Sequence, residues 1–128
     1  MNLPKNRYTL FATLWFAAGI YALLHESSGG VAPFPQFDKL EHFALFFAQI
    51  WLAAKAFMVE QRSIPYRSLV IFAFLYALLG EIGQATLTIT REGSLLDGCA
   101  DMMGCVAALW LISKVYAAKQ SKYETTNL

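Results

Sequence analysis

Apolar side chains run almost unbroken over residues 8–24, 40–58, 68–89 and 95–117, and polar ones crowd the short stretches between them. The runs are continuous rather than alternating, which speaks against strands with one lipid-facing and one watery side. Each is close to the roughly 20 residues that a helix needs to cross a hydrocarbon core about 30 Å thick. Backbone amides left open in lipid are costly, so helices are the form these runs must take. The pattern predicts an all-α, polytopic membrane protein: a four-helix transmembrane bundle forming a single domain over residues 1–128. The first run has a positive start like a secretory leader. No small-residue cleavage site follows it, so it is read as a retained helix.

Composition leaves little beside these helices, because 57% of the 128 residues are hydrophobic and only 15% are charged. The net charge of +1 says less than its placement. Lys5, Arg7, Lys55, Arg62, Arg67, Lys114, Lys119 and Lys122 all fall at one end of the predicted helices, and only Lys39 and Arg91 at the other. The positive-inside rule then puts both termini in the cytoplasm, with Tyr8, Tyr66 and Tyr116 near the inner headgroups. Gly, Ser and Pro across 27–37 predict an irregular outer loop. The short links 61–66 and 92–94 make the second and third helices, and the third and fourth, antiparallel neighbours. The polar tail after Lys119 is expected to be mobile. Cys99 and Cys105, six positions apart on one helix, point to different faces and cannot pair there.

The polar residues inside the apolar runs gather at the outer end. Residues four apart on a helix differ by about 40° around its axis, so Asp38 and His42 share one face and Asp97 and Asp101 another. Glu81, Gln84, Thr88 and Arg91 recur at spacings of three and four, a stripe that would set Glu81 about 15 Å below Arg91 on a continuous helix. An acid facing lipid at that depth costs about 2.5–3.5 kcal/mol on insertion scales, so Glu81 should turn inward toward His42, Arg91, Gln84 or a ligand. Gly104 and Ala108 continue the stripe of Asp97 and Asp101, and small residues there predict close helix packing that brings the acids against the second or third helix. Phe43, Phe46 and Phe47 form either a lipid-facing wall or packed core, and His25 is an interfacial residue.

Four acids, Asp38, Glu81, Asp97 and Asp101, outnumber the cations Lys39 and Arg91 around His42. Packed together they need a shared proton or a counter-cation. A protonated acid beside an ionised one suits general acid and base work, which makes His42, Glu81 and Asp97 the candidate catalytic residues. Asp, Glu and His together can also ligate a divalent cation, the one cofactor the sequence leaves open. A structural hydrogen-bonded network would use the same residues. Nucleotide-binding loops, H-E-x-x-H, G-x-S-x-G and any basic stripe for nucleic acid are absent.

The series Asp38-Lys39-x-x-His42, then Glu81-x-x-Gln84, then Arg91, Asp97 and Gly104, resembles the VanZ-like family of small bacterial integral membrane proteins over roughly residues 37–110. An Asn is common in that family where Asp101 stands here, so this chain carries an extra acid. The resemblance implies a multi-pass protein of the bacterial cytoplasmic membrane and a site built from Asp38, Lys39, His42, Glu81, Gln84, Arg91 and Asp97. The family's naming member is associated with low-level resistance to the glycopeptide teicoplanin, which extends here by analogy only. The leading expectation is an outer-face site that binds or processes an envelope lipid or lipid-linked headgroup, with Asp38, Lys39, Gln84, Arg91 and Asp101 as ligand-binding residues. The alternative is a non-enzymatic assembly subunit whose polar residues fix helix register. A proton or cation pathway would need a homo-oligomer, because four helices make a narrow bundle whose cytoplasmic half lacks a matching ionisable line.

Overall fold

A computed structural model describes residues 2–25, 32–90 and 93–127. It contains four helices: α1 (Arg7–Leu24), α2 (Phe37–Val59), α3 (Tyr66–Leu87) and α4 (Leu95–Thr126), each long and apolar enough to cross a membrane. Large apolar side chains such as Leu14, Phe74, Leu79 and Trp110 face outward, while His42, Gln49, Gln84, Asp97 and Asp101 are buried. That inversion of the soluble-protein rule is what a lipid solvent favours, since apolar surface costs nothing there and polar groups must find partners inside.

Local chemistry fixes the helix ends. Asn6 caps α1 by accepting from the amides of Tyr8 and Thr9, and its own amide donates to the Ala56 carbonyl at 2.9 Å, tying the start of α1 to the end of α2. Past the end of α2, Gln61 turns left-handed at φ 56°. The amides of Gln61 and Arg62 fold back onto the carbonyls of Met58 and Phe57, the paired bonds of a Schellman ending. Ser94 caps α4 by accepting from the Asp97 amide.

The helices pack in the cyclic order α1, α2, α4, α3, with the most extensive seam between α2 and α4. The link between α2 and α3 is short, yet those two touch least of the pairs in contact, so the neighbour relation expected from the link gives way to packing across α4. Gly104 explains why. A Cβ there would collide with the Phe43 carbonyl oxygen and stand 3.1 Å from the Phe47 nitrogen, so the α4 backbone lies directly on that of α2. Ala54 and Ala108 are also fully buried, and Phe46, Ile50, Cys105 and Ile112 fill the same core. Phe46 is thus core, while Phe43 and Phe47 stack on each other at 6.2 Å, half-buried. With one helix, α3, between them in the chain, α2 and α4 run in the same direction and bring their N-terminal ends together.

Two sequence expectations are corrected. α3 stops at Leu87, because Thr88 is extended and its hydroxyl donates to the Gln84 carbonyl at 2.6 Å, so the stripe toward Arg91 is not one helix face. α4 runs on through the polar tail to Thr126, and its 32 residues span about 48 Å, well beyond a hydrocarbon core of about 30 Å. The tail is helical and exposed. Both cysteines are free, Cys99 exposed and Cys105 buried.

Candidate functional site

The converging ends of α2 and α4 gather the polar residues. Asp38 and Lys39 lie in the first turn of α2, with His42 one turn deeper; Asp97 lies in the first turn of α4, with Asp101 one turn deeper. Carboxylates in a first turn meet the positive end of the helix dipole, which favours their ionised form. Parallel helices therefore present two positive ends to one acidic cluster.

His42 is the hub. Its Nδ1 lies 2.8 Å from Asp101 Oδ1, and its Nε2 lies 3.5 Å from Asp97 Oδ2. All three residues are buried, Asp101 almost completely. Lys39 Nζ bridges outward, 2.6 Å from Asp38 Oδ2 and 2.7 Å from Asp97 Oδ1. The second contact is an ion pair without an aligned hydrogen bond, so Asp97 Oδ1 keeps unused acceptor capacity. Asp38 is exposed and Lys39 half-buried, which places this pair at the rim.

Glu81 enters from α3. Its Oε2 accepts from the Ser94 amide at 2.5 Å, and a Cβ on Gly93 would stand 2.8 Å from the Glu81 carbonyl oxygen. The chain after α3 therefore doubles back against Glu81 before α4 begins. The expectation of an inward-facing Glu81 with a partner is met by a backbone amide. Its carboxylate also comes within 4.8 Å of ligating atoms of both His42 and Asp97. Ser94 is the functional residue that sequence reasoning missed. The Ser-Leu-Leu-Asp start of an apolar run was the available signal, being a helix-capping pattern.

The cluster thus joins Asp38, Lys39, His42, Glu81, Asp97 and Asp101. Gln84 is buried but donates to the Leu23 carbonyl at 3.0 Å, which ties α3 to the last turn of α1; no hydrogen bond or ion pair among the described residues joins it to the cluster. Arg91 lies outside the described residues.

Two side grooves reach this cluster from opposite flanks. One, of about 510 Å³ between α3 and α4, is lined by Phe74, Ile82, Ala85, Cys99 and Met102 and ends at Glu81 and Ser94. The other, of about 490 Å³ between α1 and α2, is lined by Trp15, Tyr21, His25 and Leu45 and ends at His42. No protein-family model, curated protein or solved structure matches this chain.

Proposed function

We propose that this chain is a VanZ-like protein of the bacterial cytoplasmic membrane, with both termini cytoplasmic, whose outer-face site binds the headgroup of an envelope lipid or lipid-linked compound. The observation that carries the reading is the coincidence of a buried His and acid cluster with grooves opening on it from the sides. An apolar groove between two helices suits an acyl or isoprenoid chain, and its polar end at Glu81 and Ser94 suits the attached headgroup. Asp38, Glu81, Asp97 and Asp101 against Lys39 and His42 leave the cluster acidic. Such a site selects a headgroup bearing an amine, or a phosphate reached through a bridging cation. Any influence on glycopeptide tolerance would follow from altered handling of that lipid.

The test is identification of lipids retained by the protein extracted in native membrane particles, for wild type, Glu81→Gln and a groove-filling Ala85→Trp. One lipid class is expected to be enriched in wild type and lost from both variants, each checked for helical content and a monodisperse profile. Identical lipid profiles in all three folded proteins would sink the reading.

A second reading has its own support. The His42–Asp101 pair bridges α2 and α4 at the level where Gly104 seats on Phe43, which is where a register-fixing pair would be placed. An assembly subunit of this kind would lose its fold, and not merely its lipid, when His42 or Asp101 is replaced.

A further inference from the structure

We infer that His42, Glu81 and Asp97 form the protein-ligand set of a divalent transition-metal site, which deepens the lipid-headgroup reading and rests on it for its biological use. Asp101 is 1% exposed and its Oδ1 lies 2.8 Å from His42 Nδ1, placed to accept a proton carried on that nitrogen. In that tautomer Nε2 carries the lone pair and faces Asp97. An imidazole nitrogen with a carboxylate behind it and a second carboxylate ahead is the arrangement of a histidine metal ligand oriented from its far side.

The distances separate a pair of metal-ligand atoms from a charge-assisted hydrogen bond. A charge-assisted N–H···O bond is about 2.7–2.9 Å long, whereas two atoms each about 2.1 Å from one tetrahedral ion stand roughly 3.4 Å apart. His42 Nε2 and Asp97 Oδ2 are 3.5 Å apart, the ligand spacing rather than the hydrogen-bond spacing. Glu81 completes the set, with one ligating atom from each residue lying within 4.8 Å of the others. Asp97 is 6% exposed, and Lys39 Nζ stands 2.7 Å from its Oδ1, which leaves Oδ2 as the oxygen turned toward His42.

Each of the three is steadied from outside: His42 by Asp101, Asp97 by Lys39 and Glu81 by the Ser94 amide. The three come from α2, α3 and α4, so the site exists only in the assembled bundle. Three protein ligands leave at least one position for an outside oxygen. In an acidic cluster that position reverses the preference of the site: the ion draws a phosphate oxygen to residues that would otherwise repel it. The ligand class that follows is a lipid phosphate or pyrophosphate. One imidazole and two carboxylates favour Zn²⁺ among the available divalent ions, without excluding the manganese class.

The experiment uses untagged full-length protein in lipid nanodiscs, stripped with a chelator and titrated with Zn²⁺ alone by calorimetry, followed by X-ray absorption at the zinc edge. One ion per chain is expected, in a shell of nitrogen and oxygen at about 2.0–2.1 Å with no sulfur at about 2.3 Å. Glu81→Gln and Asp97→Asn should weaken uptake at least tenfold. Asp101→Asn, which touches only the far side of the ring, should weaken it by about 10–100-fold, and Glu124→Gln on the projecting tail should leave it unchanged. The absorption spectrum of wild type needs no variant, so a misfolded substitution does not leave the question open. A sulfur shell, equal uptake by wild type and folded Glu81→Gln, or no uptake by folded wild type would overturn the site. Lipid retention is read on the zinc-titrated particles: selective lipid with no zinc taken up removes the metal alone, and zinc uptake without selective lipid removes the lipid reading alone.

Discussion

Gly104→Ala sets two known effects against each other on one seam. In a helix interior alanine is favoured over glycine by roughly 0.5–1 kcal/mol, so on propensity alone the variant gains. At this position the new methyl would meet the Phe43 carbonyl oxygen and lie 3.1 Å from both the Phe43 carbon and the Phe47 nitrogen. These are backbone atoms in the middle of α2 and cannot rotate away, so the helices must part. Overpacking of this kind costs about 1–3 kcal/mol. The movement also stretches the 2.8 Å contact of His42 with Asp101, one turn from Gly104 toward the helix start, and a hydrogen bond to a charged group contributes about 1.5–3 kcal/mol. The sum, less the propensity gain, is a loss of roughly 1.5–5.5 kcal/mol. Gly98, on the same helix, has nothing within 4 Å of its added Cβ, so Gly98→Ala should be neutral or gain up to about 1 kcal/mol. Unfolding of both in mixed micelles by rising SDS, followed by circular dichroism, gives the comparison. If Gly104→Ala unfolds at the same or a higher SDS fraction than Gly98→Ala, the close backbone seam and the reasoning built on it are wrong.

Two further outcomes follow from the contacts at the site. Ser94→Ala removes the cap of α4 but leaves the amide that Glu81 accepts from, so it should cost about 1 kcal/mol in the same assay; Glu81→Ala, which strips an acceptor from that amide, should cost about 1–3 kcal/mol, and the reverse order would contradict the Glu81 contact. A double-mutant cycle of His42→Gln and Asp101→Asn should give a coupling of about 0.5–3 kcal/mol, whereas additivity would mean the two side chains do not share a hydrogen bond.

The sequence carried the helices well because length and apolarity are local properties. The stacking of Asp97 over Asp101, with Gly104 beneath them, was legible for the same reason: helical periodicity alone puts them on one face. Which of α2 and α3 would take the closer seam with α4 was not legible. A short link argued for α2 against α3, but the bare backbone of Gly104 let α4 approach α2 more closely, a choice settled between residues far apart in sequence. The end of α3 was missed because apolar Leu87 and Ile89 continue the hydropathy pattern across Thr88, whose hydroxyl bond to the Gln84 carbonyl competes with the helix. The extent of α4 was missed for the opposite reason. Hydropathy marks where a helix meets lipid, and the polar turns beyond Ala117 are still helical.

The same-direction pairing of α2 and α4 also sets an order of assembly. His42 emerges from the ribosome 59 residues ahead of Asp101. During that interval the first three helices carry an imidazole whose aspartate does not yet exist. Residence at the insertion machinery until the fourth helix arrives would shield that imidazole, and a chain cut in the α3–α4 link would leave it stranded as a ready substrate for membrane quality control.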